Sequence, residues 1–242
     1  MGWAEAIIAV IAMITLALDT STRTGGCAVL RGDDVLAEVP GDAAHTHATR
    51  LPGDLMTVLE RAHLVLADVE VFAVATGPGS FTGLRVGIAT MQGLALAASR
   101  PLVGVSVLDA LVRSAVGVAH AGTRVATWVD AWRGEVYAAL FGGVDELEGA
   151  SVELPEPILA RLRGTRTLFI GDGAATHRDA IERAMGAHGE LAPELEPALA
   201  GIIGRLARAE VEAGRRPGPA DIQPLYVRRP DVELVRDARV QR

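Results

Sequence analysis

Three short segments hold the polar side chains that could do chemistry in this sequence. Asp19, Thr20 and Ser21 follow an apolar strand pattern, residues 77–83 form a glycine-rich run between a strand and a helix, and residues 171–173 close another strand. A carboxylate with hydroxyls can approach a nucleotide phosphate or its metal, and amides at a helix start can hold an anion. A nucleotide-binding enzyme is therefore one hypothesis, although residues 19–22 are also ordinary turn residues.

The glycine-rich run departs from the two common phosphate-binding patterns. A P-loop ends in Gly-Lys-Ser or Gly-Lys-Thr, and all 23 basic residues of this chain are Arg. The dinucleotide fingerprint G-x-G-x-x-G has a last gap one residue shorter than the one between Gly79 and Gly83. The spacing favours a tight crossover turn in which the hydroxyl of Ser80 or Thr82 caps the following helix.

The histidines and the cysteine give little support for a metal site or a nucleophile. His45 and His47 form a His-x-His pair near Asp42, but a polar loop before a helix explains the pair more simply than a metal site does. The single cysteine, Cys27, lies in an apolar alternating segment and is expected to be buried and inert. Because the sequence has no G-x-S-x-G elbow, nucleophilic catalysis has no visible support.

The charge of the chain is unfavourable for binding nucleic acid through its whole surface. The formal net charge is −7, and an acidic protein is a poor candidate for holding a phosphate backbone alone. Residues 205–242 differ, since they contain nine Arg and six acidic residues. Such a weakly basic segment is usually just solvated, and a direct contact with nucleic acid is the alternative.

The beginning of the sequence is apolar without matching a membrane segment. Residues 6–18 are almost wholly apolar, but a spanning helix needs about 20 residues. A signal peptide would begin with basic residues, whereas the first Arg is Arg23. We expect residues 1–12 to be an extension upstream of a functional start at Met13, outside the fold, in a cytoplasmic protein that does not contact a membrane.

The hydrophobic pattern predicts two α/β halves that divide near Pro101. The first half reads as strands at residues 14–18, 26–30, 35–39 and 69–75, with one helix between residues 46 and 62 and another over residues 83–99. Pro52 is best tolerated in the first turn of the earlier helix. The second half reads as strands at 102–105, 124–130, 135–141 and 168–170, with helices over 106–118 and 196–213.

The helix after the glycine-rich run is unusually apolar. Between residues 83 and 98 the polar side chains are Arg85, Thr90 and Gln92. A helix that is apolar on all sides is buried on all sides, so it needs a cover beyond its own sheet. Small residues at i+4 spacing, at positions 89, 93 and 97, would allow another helix to approach closely. The cover could be another part of this chain or a partner protein, and the pattern alone does not separate the two.

Taken together, these segments resemble the TsaB (YeaZ) family. The resemblance runs from Met13 to about residue 229, and its most specific part is the run 77–87, Gly-Pro-Gly-Ser-Phe-Thr-Gly-Leu-Arg-Val-Gly. Supporting segments are residues 16–22, His47 with residues 50–51, and residues 93–95, 104–106, 130–137 and 224–228. The resemblance implies an actin-like (ASKHA, ribonuclease H-like) α/β fold with two lobes. The expected lobes are residues 13–100 and 101–229, with the last helix packing back on the first lobe and residues 230–242 as a flexible tail.

The family resemblance also implies a function and partners. The chain would be a subunit of the complex that makes N6-threonylcarbamoyladenosine in tRNA, together with a TsaD-like transferase and a TsaE-like ATPase. It would need no cofactor of its own, since ATP and a metal are used by the partner subunits. It would reach tRNA through the complex and could form a homodimer when alone. The predicted partner interface consists of His47, Leu51, Gly83, Leu84, Arg85, Gly87, Ile88, Met91 and Gly93.

The resemblance further implies that this subunit is not catalytic. The transferase paralogue carries an H-x-x-x-H metal pair just after the segment that resembles residues 102–105, and residues 106–111 of this chain contain no His. Asp19, Thr20 and Ser21 would then be a vestigial nucleotide loop. Two alternatives stay open: an actin-fold ATPase or kinase that uses Asp19 and residues 171–173, and, with less support, a glycoprotease-like peptidase. Pro52 and Gly53 interrupt the first helix earlier than the family pattern suggests.

Overall fold

The computed structural model describes residues 13–227, which form two five-stranded mixed sheets flanked by helices. The first sheet has the strand order β3-β2-β1-β4-β5. Its elements, with the two helices that connect them, are β1 (Ile14–Asp19), β2 (Gly26–Arg31), β3 (Asp34–Pro40), α1 (His47–Arg61), β4 (Val71–Gly77), α2 (Phe81–Ala98) and β5 (Leu102–Ser106).

The second sheet repeats the topology of the first, with the strand order β10-β9-β6-β7-β8. In each sheet the first strand in sequence is central, a pair of antiparallel strands lies on one side of it, and two parallel strands lie on the other. The remaining elements are α3 (Val107–Ala115), β6 (Arg124–Asp130), β7 (Val136–Gly142), β8 (Asp145–Glu153), α4 (Pro155–Leu162), β9 (Thr167–Ile170), α5 (Asp172–Thr176), α6 (Arg178–Met185), β10 (Gly189–Leu191) and α7 (Ala200–Glu212).

The central strand β1 is buried at all six positions because helices cover both faces of its sheet. Leu16 and Leu18 point to one side, where they share a core with residues of α1 and α2. Ala17 points to the other side, where it shares a core with residues of α3 and α7. Two-sided burial explains why the strand reads as a continuous apolar run without the alternation of a half-exposed strand.

The last helix, α7, packs on the first sheet, where it contacts β1, β2 and β4. Its close approach depends on Gly204, where an added methyl group would overlap the side chain of Leu30 and meet Ala17. The segment after α7 also returns to the first lobe, since the Leu225 amide donates to the Thr76 carbonyl at 2.8 Å.

The predicted boundary at residue 100 is wrong by one strand. β5 pairs in parallel with β4, with Val103 opposite Ala73, and therefore belongs to the first sheet. A strand, a crossover helix and a parallel strand form one unit, so α2 leads back to the sheet it left. Pro52 also differs from expectation, since it is the sixth residue of α1 and lies beyond the first turn. The expectations for residues 1–12 and 230–242 fall outside the described residues.

Within residues 13–227, no helix has the length and apolar character needed to cross a bilayer.

We predict that a large side chain at Gly204 destabilises the fold, because α7 can no longer approach β1 and β2. Gly204→Leu should lower the free energy of unfolding by about 1–3 kcal/mol, the usual cost of overpacking. The matched control is Gly53→Leu, also within a helix, where an added Cβ has nothing within 4 Å. Urea denaturation followed by circular dichroism checks the pair. Equal losses in the two variants would contradict the packing described for α7.

Candidate functional site

A cleft of about 280 Å³ separates the end of β1 from the second lobe. The structure brings both halves of the sequence-predicted nucleotide site to this cleft, since Asp19 lies on one wall and Gly171 and Asp172 lie on the other. Its charged lining residues are Asp19, Asp172, Glu194 and Glu196, and none of its described lining residues is a cation. A wall of carboxyl groups is unfavourable for a nucleotide polyphosphate, whose charge has the same sign.

The carboxyl group of Asp19 is already bound within its own loop. Its Oδ1 accepts hydrogen bonds from the Ser21 amide at 2.8 Å and from the Ser21 hydroxyl at 2.6 Å. Burial raises the pKa of Asp19, and these two hydrogen bonds oppose the rise. The side chain therefore stabilises a turn, and the Ser21 hydroxyl donates to it instead of to a ligand.

The second carboxyl group, Asp172, has a comparable role in the other lobe. Its Oδ1 accepts the Asp130 amide at 2.9 Å and so ties the start of α5 to the end of β6. Burial raises the pKa of Asp172 to about 6, and the nearby carboxylates of Asp130 and Glu196 add to the effect. Because a carboxyl group with such a pKa is partly neutral near pH 6, the cleft is less negative in mild acid than at neutral pH.

The glycine-rich run allows close packing between two segments of the first lobe. The Ser80 hydroxyl caps α2 by accepting the Gly83 amide at 3.2 Å, as predicted, and the Ser80 amide donates to the Ser21 carbonyl at 2.7 Å. An added methyl group at Gly79 would overlap the Ser21 carbonyl, and one at Gly83 would overlap the Thr20 carbonyl. At Gly87 it would overlap the Thr20 hydroxyl. These three glycines let the loop after β1 lie directly on the start of α2.

The same loop is held from its other side by α1. His47 Nε2 lies 2.9 Å from the Thr22 carbonyl, and the Arg50 guanidinium lies 2.8 Å from His47 Nδ1. Arg50 also donates to the Thr24 carbonyl and pairs with Asp54. Only 7% of the Arg50 side chain is exposed, so this cation serves the loop and is not available to a ligand.

The structure divides the predicted partner-interface residues into two groups. The buried members lie in the core of the chain, and for them a role in a partner interface stays a prediction: Leu51, Gly83, Leu84, Gly87, Ile88 and Met91. Their apolar character serves packing against the first sheet and against the loop after β1. His47 is half-buried, whereas Arg85 and Gly93 are exposed on α2.

From residue 86 to residue 98, the exposed side of α2 is apolar and consists mainly of small residues. It includes Ala89, Gly93 and Ala97, the row at i+4 spacing, together with Leu96, which is 59% exposed. Gly93 has open space where a side chain would be. Met56 on the neighbouring α1 is 62% exposed, and α1 contacts α2. We call the exposed apolar residues Met56, Ala89, Gly93, Leu96 and Ala97 the helix-pair face.

Arg85 and Gln92, two of the polar residues of α2, bind the C-terminal segment, a role the sequence did not indicate. The Gln92 amide donates to the carbonyls of Pro219 at 2.9 Å and Ile222 at 3.0 Å. Arg85 donates to the Tyr226 hydroxyl at 2.9 Å and stacks on the Phe81 ring at 3.8 Å from its centroid. The only sequence signal was that these polar residues interrupt an otherwise apolar helix.

The remaining sequence candidates have structural explanations. His45 pairs with the exposed Asp42 at 2.7 Å. Cys27 is fully buried, as predicted, and burial raises the pKa of its thiol to about 12. Arg208, from the basic C-terminal segment, pairs with Asp33 and Glu212. Within residues 13–227, no three His, Cys, Asp or Glu side chains are grouped so that they could hold a metal ion.

The helix that follows β5 presents aliphatic side chains to the cleft. Val107 and Leu111, four residues apart on α3, both line it. Side chains four apart lie on one face of a helix, which is the arrangement an H-x-x-x-H metal pair requires. In this chain the corresponding surface is hydrocarbon.

We predict that Gly87→Ala destabilises the chain through one identifiable contact, the Thr20 hydroxyl. The substitution should cost about 1–3 kcal/mol. Adding Thr20→Ala should recover a large part of the loss, because it removes the overlapping atoms. The matched control is Gly83→Ala, which overlaps the Thr20 carbonyl and should not be rescued by Thr20→Ala. A double-mutant cycle in urea measures both couplings, and additive losses for Gly87 and Thr20 would refute this contact.

Comparisons with known proteins agree with the fold. The family described as "TsaD: tRNA N6-adenosine threonylcarbamoyltransferase" matches residues 37–213. The tRNA threonylcarbamoyladenosine biosynthesis protein TsaB of Bacillus subtilis is 31% identical over 73% of this chain and 79% of its own length. The crystal structure of YeaZ from Pseudomonas aeruginosa matches with a TM-score of 0.75 and 28% identity, covering 88% of this chain and 99% of that one.

A more distant structure shares the fold alone. The activator of 2-hydroxyisocaproyl-CoA dehydratase from Clostridium difficile has a TM-score of 0.54 and 11% identity over 84% of this chain and 97% of its own. The predicted actin-like fold with two α/β lobes is confirmed. Since its relatives are similar along most of their length, the chain belongs to the TsaB (YeaZ) family of tRNA threonylcarbamoyladenosine biosynthesis proteins.

Proposed function

We propose that this chain is a non-catalytic subunit of the complex that makes N6-threonylcarbamoyladenosine in tRNA. It docks through the helix-pair face onto a TsaD-like transferase, and a TsaE-like ATPase joins the assembly. ATP, the metal and the tRNA substrate are handled by the partners. The observation that carries the proposal is the exposed, uncharged surface of α2 from residue 86 to residue 98.

An exposed apolar helix face favours a protein partner. A helix on the outside of a globular protein normally exposes charged residues to water. The residues that α2 exposes include Ala89, Gly93, Leu96 and Ala97. Contiguous apolar patches on soluble proteins mark interaction sites. Small residues also let a second helix approach to the short interaxial distances that close packing requires. This surface fits another helix better than it fits a small polar ligand.

The family relationship favours a TsaD-like protein as the occupant. The chain matches the family description of the transferase over residues 37–213, so the two proteins are expected to share a fold and a comparable pair of helices. Two related folds can pack like helices against like helices in a pseudo-symmetric contact, as in isologous dimers. A second copy of this chain could occupy the same face when the transferase is absent.

Three features of the cleft support a non-catalytic role. The polar groups of the Asp19 loop are bonded within the loop or packed against α2. The cleft is lined by carboxyl groups, and Val107 and Leu111 fill the positions four apart on α3. These features leave the described lining of the cleft without a cation that could bind a phosphate. The rival, an actin-fold ATPase or kinase, is favoured only by the meeting of Asp19 and Asp172 at one cleft.

We predict that a bulky group on the helix-pair face weakens transferase binding and leaves the fold intact. Gly93→Leu and Ala89→Arg should each lower the affinity at least about tenfold, since they separate the helices without touching the core. Ala160→Arg, at an exposed position on α4 of the other lobe, is the matched control. Pull-down and calorimetric titration measure binding, and thermal melting tests folding. Folded variants that bind like wild type would rule out this face.

We predict that the isolated chain does not bind Mg-ATP at its cleft. The described lining of the cleft has no cation to hold the phosphates, and its Asp19 carboxylate is already bonded to Ser21, so the melting temperature should be unchanged at millimolar Mg-ATP. Isothermal titration calorimetry provides an independent check. Stoichiometric binding that Asp19→Ala removes would favour the ATPase or kinase alternative.

A further inference from the structure

One short loop, residues 20–25, lies between the cleft and both helices of the helix-pair face. Thr22, Thr24 and Gly25 line the cleft. On the other side, the Thr20 carbonyl lies against Gly83 of α2 and the Ser21 carbonyl lies against Gly79, just before α2. The Thr22 and Thr24 carbonyls are bonded by side chains of α1. A displacement of this loop from the cleft side would therefore act on α1 and α2 directly.

The bond between the loop and α1 requires a neutral imidazole in one tautomer. The Arg50 guanidinium can only donate, so His47 Nδ1, 2.8 Å away, must be the acceptor. The ring proton then lies on Nε2 and is donated to the Thr22 carbonyl at 2.9 Å. A second proton on the imidazole would lie on Nδ1 and face the Arg50 cation.

The imidazole lies between the loop and the start of α2. A Cβ added at Gly25 would lie 3.3 Å from its Cε1, and one added at Gly83 would lie 3.1 Å from its Cδ2. The glycines at these two positions leave room for the ring. A ring that turns away from Arg50 also turns its Nε2 away from the Thr22 carbonyl, so the bond to the loop is lost with it.

The charges around His47 come from two elements. Arg50 and Asp54 lie on α1, and Asp19 lies at the end of β1; α2 contributes Gly83, which is uncharged. Burial lowers the pKa of His47 and Arg50 adds to the effect, whereas the Thr22 hydrogen bond, Asp19 and Asp54 oppose it. Because the folded chain favours the neutral ring, its stabilising contribution is complete above the ordinary value of 6.5 and is lost as the pH falls below it.

We propose that His47 is a latch between the cleft and the helix-pair face: the neutral ring locks the loop to α1, and protonation releases the loop and weakens partner binding. The inference rests on the proposed function, because the partner is the one assigned above to the helix-pair face. His47 acts as a positioning residue, since it holds the loop and α1 in register and itself stays half-buried.

The test compares wild type with His47→Gln, whose amide can donate to Thr22 and accept from Arg50 but does not titrate. His188→Gln, a change at an exposed histidine of the second lobe, is the matched control. Hydrogen exchange of residues 22–25 and 47–51 in the isolated full chain is measured at pH 7.5 and 5.5 and corrected for the intrinsic rate. The dissociation constant of the TsaD-like transferase from the same organism is measured at both pH values.

Wild type and His188→Gln should lose protection in the loop and bind the transferase several-fold more weakly at pH 5.5, whereas His47→Gln should change less in both respects. A loop that loosens without any change in affinity, or equal pH dependence in wild type and His47→Gln, would overturn the proposal. If wild type does not bind the transferase even at pH 7.5, the proposed function fails. The ¹⁵N spectrum of His47 then decides separately whether the ring holds the loop, since the latch requires the Nε2–H tautomer and a titration midpoint below 6.5.

Discussion

The close contact between the loop after β1 and the first turns of α2 constrains the rest of the first lobe. The Thr20 and Ser21 carbonyls lie where side chains at Gly79 and Gly83 would have to be, and the Thr20 hydroxyl does the same at Gly87. This contact fixes where the first turns of α2 lie against the end of β1. It also directs Leu84, Ile88 and Met91 inward and leaves Ala89, Gly93 and Ala97 outward.

The contact also explains how a loop at the usual nucleotide position can serve packing within the chain and not ligand binding. An anion at a helix start needs free amides. In this chain the Gly83 amide is capped by Ser80, and the Ser80 amide is bonded to the Ser21 carbonyl. Asp19 is bonded to Ser21. The Asp19 carboxylate, the Ser80 amide and the Gly83 amide are therefore bonded between the two segments or within them, and the same contact supports a surface on the outer side of α2.

Several features could be predicted from the sequence because they depend on local pattern. The antiparallel pair β6 and β7, the Ser80 cap and the buried Cys27 follow from alternation, spacing and apolar context. Which α2 residues face the core and which face outward could not be predicted, because a helix that is apolar on all sides has no polar side to orient it. Gly83 and Gly93 look alike in the sequence, yet one is packed against a backbone and the other faces open space.

The features that escaped prediction depend on contacts between distant parts of the chain. β8 is polar and exposed along most of its length, so it carries no strong strand pattern. β5 belongs to the first sheet through its pairing with β4, which spacing alone does not reveal. The roles of Arg85 and Gln92 depend on a segment about 130 residues further along the chain. Side chains in such contacts carry no local signature, so only the folded structure assigns them.

The most direct test of the account is site-specific crosslinking to the TsaD-like transferase. Because Cys27 is buried, Ala97→Cys would carry a single accessible thiol for a photoreactive group, and Ala160→Cys would carry one on the other lobe. The account predicts a crosslink to the transferase from position 97 and none from position 160. A crosslink from position 160 alone would contradict the assignment of the helix-pair face.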